Sequence, residues 1–195
     1  MILLRRPTPV ALDAFRAAQA ELPFTYPSAG STAATPPSGY TVDRTRVQLG
    51  VGDATFIAAC AALERWEQFN LGWASAHPAD LPLRPGEVVA VVARLVGAWW
   101  VNAARIVYAL DETGPVTRFG FAYGTLPDHA ESGEERFLVE WDRATDAVWY
   151  DIVAFSRPRH PLARLGYPLT RRAQRRFARD SAAAMRRAVT SAPAP

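Results

Sequence analysis

Between residues 71 and 156 the chain offers turn after turn and leaves no room for a helix between them. Runs at 71–77, 87–95, 98–111, 117–125, 134–142 and 147–156 read as strands. Connections such as Asp111-Glu112-Thr113-Gly114 and Asp142-Arg143-Ala144-Thr145-Asp146 are hairpin turns by composition. Strands joined this tightly must be antiparallel, because a parallel pair needs a crossover of a dozen or more residues.

Helical patterns bracket the run. Thr8-Pro9 reads as an N-cap and first helical residue. It opens an amphipathic helix to about Leu22, with Ala11, Phe15, Ala18 and Leu22 on one face and Pro23 ending it. Residues 23–40, rich in Pro, Gly, Ser and Thr, read as loop. Thr41 to Leu49 reads as a strand, with Val42, Arg44 and Arg46 on one face and Thr41, Asp43, Thr45 and Val47 on the other. Gly50-Val51-Gly52 turns the chain into a helix capped by Asp53, whose apolar stripe is Phe56, Cys60, Leu63 and Trp66 to Phe69. From about Pro161 the chain is helical again, restarting after Gly166-Tyr167-Pro168. The expected fold class is α+β: a curved antiparallel sheet of six to seven strands gripping a long C-terminal helix. One domain is expected over residues 1–195. It divides into an N-terminal helix and loop (1–40), a sheet with an inserted helix (41–156) and an arginine-rich C-terminal helix (157–195).

Charge and composition narrow the chemistry. All 22 basic side chains are arginine, which rules out a phosphate-loop lysine, a Schiff base and a lysine general base. The bias reads as the mark of a GC-rich genome and not of a function. Residues 1–156 carry 12 Arg against 18 acids, a net −6; residues 157–195 carry 10 Arg against Asp180 alone, a net +9. Cys60 is the single cysteine, so neither an internal disulfide nor a thiolate cage is available. The short apolar start, Met1 to Leu4 with Arg5-Arg6 behind it, lacks the form of a signal peptide. No run approaches the roughly 18 apolar residues of a membrane span. A cytoplasmic location is expected.

Several segments invite a functional reading. Leu49-Gly50-Val51-Gly52-Asp53 stands where a dinucleotide loop would stand, but Thr55 replaces the third glycine and an antiparallel meander follows, so it reads as a tight turn. His77, His129 and His160 have no metal-pair spacing, and no metal or cofactor is expected. His129 lies close to Glu131, Glu134 and Glu135, a set that could supply acid–base chemistry or simply a solvated hairpin loop. In Phe119-Gly120-Phe121-Ala122-Tyr123-Gly124-Thr125 large residues alternate with Gly and Ala, so one strand face is bare, either for close packing or for a ligand. The face Trp100, Asn102, Ala104, Ile106, Tyr108 sets polar tips in an apolar row, which suits a small-molecule lining or an ordinary core. The terminal helix places Leu165, Leu169, Ala173, Phe177, Ala184 and Ala188 on one side and Arg164, Arg171, Arg172, Arg175, Arg179 and Arg186 on the other. That arginine face could meet a polyanion, an anionic surface or the acidic body of the chain itself.

The block Gly120-Phe121-Ala122-Tyr123-Gly124-Thr125-Leu126, followed by His129, Glu131, Gly133-Glu134-Glu135 and Phe137, resembles the signature of an uncharacterised family. That family is catalogued as a domain of unknown function (number nineteen-ninety) and found in bacteria and plants. Tyr26-Pro27, Gly30, Thr32, Tyr40, Leu49-Gly50-Val51-Gly52, Trp66, Gly72-Trp73, Asn102, Arg105 and Phe155-Ser156-Arg157-Pro158 extend the resemblance along nearly the whole chain. It is similar to the Bet v 1/START-like helix-grip superfamily, which agrees with the element order and implies a hydrophobic cavity between sheet and terminal helix. The resemblance gives weight to Tyr123, His129, Glu131, Glu134, Glu135 and Ser156 without assigning them a reaction.

Three functions remain open on this reading. The first is binding of a small apolar molecule, with Tyr123, Asn102, Tyr108, Tyr150 and Ser156 orienting it and Trp100 and Phe121 as walls. The second is a hydrolase, cyclase or isomerase using His129 with Glu131 or Glu134. The third is binding of nucleic acid or an anionic surface through Arg171, Arg172, Arg175 and Arg179.

Overall fold

A computed structural model describes residues 1–191. A short strand β1 (Ile2–Leu3) and helix α1 (Pro9–Gln19) precede β2 (Thr41–Val51), α2 (Gly52–Glu64) and β3 (Ala74–His77). The meander continues through β4 (Val88–Leu95), β5 (Ala98–Glu112), β6 (Val116–Thr125), β7 (Glu131–Asp142) and β8 (Ala147–Pro158). Two helices, α3 (Pro161–Leu165) and α4 (Tyr167–Thr190), complete it. Across the sheet the order is β2-β8-β7-β6-β5-β4-β3, with every neighbouring pair antiparallel. Seven strands thus form a curled half-barrel, and β1 adds a short eighth strand beside Trp99 and Trp100 of β5. The strands β2 and β3 lie at opposite edges, so α2 and a 3-10 turn (Glu67–Phe69) must carry the chain across the concave face.

The helix α4 closes that face. Phe69 from the 3-10 turn meets Phe177 of α4 at 5.1 Å between ring centroids and Phe137 of β7 at 5.5 Å, while Trp66 meets Phe121 at 4.9 Å. Offset and tilted rings at these spacings add to the stabilisation from burial alone. Tyr150 and Ser181 join β8 to α4 through a buried hydrogen bond of 2.9 Å, and the Trp73 indole donates to Asp180 at 3.0 Å. A second, smaller core lies on the convex side, where Leu12 and Phe15 of α1 pack on Val88, Ala90, Val101 and Ala103.

Several local expectations shift. The buried stripe of α1 is Leu12, Phe15 and Gln19, one position off the Ala11, Ala18 and Leu22 face, and the helix ends at Gln19, short of Leu22. The Thr8 cap is present, accepting from the Ala11 N–H at 3.3 Å. Asp53 does not cap α2: Val51 occupies the N-cap and Asp53 sits in the first turn, where a negative charge suits the helix dipole. Leu165 and Leu169, expected on the apolar side of the terminal helix, are 85% and 59% exposed. The expected Phe177, Ala184 and Ala188 do face the core, joined there by buried Ser181, Ala182 and Met185. The turn before β7 is short, so Glu131, Glu134 and Glu135 belong to the strand and not to a solvated loop.

The bare face of β6 receives close packing. A Cβ on Gly120 would approach the Phe137 carbonyl oxygen of β7 to 2.2 Å, so the backbones there are too close for a side chain. A Cβ on Gly124 would reach the Tyr26 hydroxyl at 2.0 Å. Tyr26 belongs to the loop of residues 23–40, which crosses the convex face and is fastened by Glu134. That carboxylate accepts from Tyr26 Oη at 2.7 Å, from Gly30 N at 2.7 Å, from Thr32 N at 2.8 Å and from the Thr32 hydroxyl. A carboxylate only 2% exposed is tolerable because its lone pairs are met by these donors. The ring of Tyr26 cannot retreat without breaking its bond to Glu134. Gly124→Ala is therefore expected to lower unfolding stability by about 1–3 kcal/mol, measured by urea titration. An unchanged midpoint would contradict this packing.

Candidate functional site

Strand alternation sorts the charged residues of β7. Glu134 faces the convex side, whereas Glu131 and Glu135 face the helix α4. Register places Tyr123, Glu135, Ala154 and Asp43 in one row across β6, β7, β8 and β2. From above, α4 lowers Arg171, Gln174 and Phe177 onto this row. Arg171 reaches Asp43 with two nitrogens, at 2.5 and 2.6 Å, and Gln174 donates to Ser156 at 2.9 Å and to the Glu131 carboxylate. The result is a polar row under the N-terminal half of α4, bounded on one side by the aromatic cluster of Phe177, Phe137, Phe69 and Phe121. Ala154 and Ser156 contribute little volume to it. The inward-pointing Glu135, Ala154, Ser156 and Gln174 are all only half-buried.

Glu135 is the distinctive group. It accepts from the Tyr123 hydroxyl at 2.7 Å, its one side-chain hydrogen bond among the described residues, and no arginine reaches it. Burial pushes its carboxyl up to about 7, partly offset by the Tyr123 hydrogen bond and reinforced by the negative charges of Glu131 and Asp43. Glu131 is raised as well, by burial, with Gln174 and Arg171 acting against it. Tyr123 and Tyr150 are buried phenols raised well above their usual range, and so are neutral donors. Perturbed carboxyls in a recess are what binding and catalytic sites have in common.

The other sequence candidates occupy different places. Phe121 is fully buried in the aromatic cluster and Tyr150 is spent on Ser181. Tyr108 does not share the face of Trp100 and Ile106. A bulge between Ile106 and Tyr108 turns it to the convex side, where its hydroxyl pairs with Thr32 at 2.7 Å. Trp100, Asn102 and His129 meet His160 and Arg159 in a separate cleft of about 420 Å³ at the mouth end of the sheet. Asn102 accepts there from the Ala130 N–H at 3.0 Å. His129 Nδ1 lies 3.0 Å from the Glu131 N–H and 3.2 Å from the Glu131 carbonyl oxygen, and burial lowers its imidazole to about 4. Its bond is thus to the Glu131 main chain, while the Glu131 and Glu134 carboxylates engage Gln174 and the N-terminal loop. Burial, with Glu64 and Asp111 nearby, pushes the Cys60 thiol up to about 12, so it is no nucleophile. Of the arginines, Arg171 turns inward to Asp43, while Arg172, Arg175 and Arg179 stay exposed. Sequence reasoning missed Arg171, Gln174 and Asp43 as lining residues, and also Ala154. The alternation of Thr41, Asp43 and Thr45 carried part of that signal.

Comparison with known proteins agrees with this architecture. The description "Domain of unknown function (DUF1990)" matches residues 25–184. A UPF0548 protein of Deinococcus radiodurans is 40% identical over 200 residues, covering 97% of this chain and 99% of the relative. One from Dictyostelium discoideum is 42% identical over 163 residues, covering 79% and 75%. Among solved structures, Ara h 8.0201 superposes with a TM-score of 0.51 at 13% identity, covering 79% of this chain and all of that one. Human STARD10 gives 0.50 at 12%, covering 97% and 82%. These likenesses identify the fold as Bet v 1/START-like, and the chain belongs to the DUF1990 (UPF0548) family.

Proposed function

We propose that the chain binds a small amphipathic molecule at the polar row beneath α4. The apolar part would rest on Phe177 and the aromatic cluster, and a hydrogen-bond donor or amine would meet Glu135. The observation that carries this reading is Glu135 itself, an inward, half-buried carboxyl that no cation among the described residues neutralises. Three carboxyls, Asp43, Glu131 and Glu135, stand in this row, and its one cation, Arg171, is committed to Asp43. The surplus is negative, so a ligand that donates is favoured over one that accepts. Apolar walls with a few convergent polar groups are the usual composition of a small-molecule site. The fold supports the reading too: the ligand would lie between the curled sheet and the helix that closes it.

Acid–base chemistry at His129 is the second reading, and the 420 Å³ cleft that gathers His129, His160 and Asn102 is the observation in its favour. A neutral, buried imidazole without a carboxylate partner is a weak base, which is why binding at Glu135 ranks first.

Two outcomes follow from Glu135. Dansylcadaverine, an apolar fluorophore on a primary amine, is expected to bind with one-site saturation, and its affinity should fall as pH drops through about 7 and Glu135 takes up a proton. Glu135→Gln should weaken that binding by about ten- to a hundredfold, the worth of a hydrogen bond to a charged group. Uptake that ignores both pH and this substitution would place the ligand elsewhere. Stability should move the opposite way. Between the ordinary glutamate value of 4.5 and about 7, the folded chain keeps a proton that the unfolded chain has lost, so stability declines as pH rises through that window. Glu135→Gln retains the acceptor for Tyr123 but cannot ionise. It should unfold at a higher temperature than the parent above about pH 8, by up to roughly 3 kcal/mol, and match it near pH 4.

A further inference from the structure

The α3–α4 junction carries apolar side chains that the fold does not use. Leu162, Leu165 and Leu169 are 54%, 85% and 59% exposed, while Tyr167 between them is 39% exposed and shares a hydrogen bond of 3.3 Å with Thr41. The inner side of α3 is occupied by Ala163, 5% exposed, so these leucines have no place to turn inward. They recur at intervals of three and four residues, and Arg172 continues the same spacing. On the two sides of the Gly166 break the exposed leucines thus stand close in the chain to exposed arginines.

Along the chain this segment carries charge of a single sign, and the acid across from it, Asp43, is taken by Arg171. From Ile152 to Arg179 there is no aspartate or glutamate, and Arg157, Arg159, Arg164, Arg172 and Arg175 are all exposed. Among the described residues, Arg172 and Arg175 make no ion pair, in contrast to Arg171 on Asp43.

We propose that this junction is a docking surface for an anionic lipid bilayer. Exposed leucines with a tyrosine can enter the boundary between headgroups and acyl chains, while arginines beside them keep their guanidiniums among the phosphates. The segment would lie on the surface, since no described helix is long and apolar enough to cross. A nucleic acid would use the arginines but offers nothing to three exposed leucines, so the bilayer fits more of the surface. The proposal is independent of the polar row, which uses Arg171 and Gln174 on the other side of α4.

Flotation of the full chain with vesicles tests it. The protein should float with vesicles of equal parts phosphatidylserine and phosphatidylcholine at low salt and stay behind with phosphatidylcholine alone. Arg172→Gln/Arg175→Gln should weaken binding by about 25-fold, taking roughly fivefold per arginine near an anionic surface. Leu165→Asp/Leu169→Asp should weaken it at least as much, with the melting temperature unchanged because both sites are exposed. If that variant unfolds, the arginine pair carries the test. Failure to float with anionic vesicles would overturn the proposal, and so would equal flotation with neutral ones. Tight binding to duplex DNA combined with vesicle binding that the leucine changes do not touch would also overturn it, assigning the arginines to a nucleic acid.

Discussion

The two adjacent carboxyls of β7 are separated by the period-two alternation of a strand, and most of the molecule is arranged around that separation. Glu134 points to the convex face and is saturated by Tyr26, Gly30 and Thr32. Those bonds hold the N-terminal loop across the sheet and press Tyr26 onto Gly124, directly opposite Glu134 in register. Glu135 points to the concave face and receives one bond, from Tyr123. A slip of one residue in the pairing of β7 would exchange the two, burying a saturated network's anchor under α4 and leaving the loop unfastened. The first carboxyl is therefore structural, and the second is left with unused hydrogen-bonding capacity beneath α4.

The helix α4 is divided in a similar way along its length. Its C-terminal half is core, with Ser181, Ala182, Ala184 and Met185 buried against the sheet and α2. Its N-terminal half faces the sheet with polar groups and solvent with leucines and arginines. The net charges of the two chain segments, read as −6 and +9, meet inside the protein only in part: Arg171 on Asp43 is one such contact. Most of the remaining arginines stay outside, so intramolecular neutralisation does not account for the basic helix.

The architecture was legible because hairpin turns and the absence of crossover helices leave few alternatives, and each expected strand of the meander exists. The site was legible only in parts. Extending β7 back to Glu131 changes the meaning of the acidic cluster, since alternation then sends its members to opposite faces. The β-bulge beside Val107 reverses Tyr108, and local composition gives no warning of a bulge whose cause is the pairing with β6. Gly120 and Gly124 signalled close approach correctly, but the approaching groups come from β7 and from residue 26, which tertiary packing alone determines. Leu165 and Leu169 continued a helical stripe in sequence, yet the break at Gly166 and the position of α3 leave them outside.

The claim on which the account rests is that Glu135 is a carboxyl held in reserve, buried enough to resist ionisation and unpaired enough to meet a ligand. Carbon-detected NMR of the glutamate side-chain carboxyls, with Glu135 assigned by its loss in Glu135→Gln, measures this directly. Glu135 is expected to titrate with a midpoint near 7 in the unliganded protein, falling when dansylcadaverine is added. A midpoint near 4.5, unmoved by the amine, would contradict it.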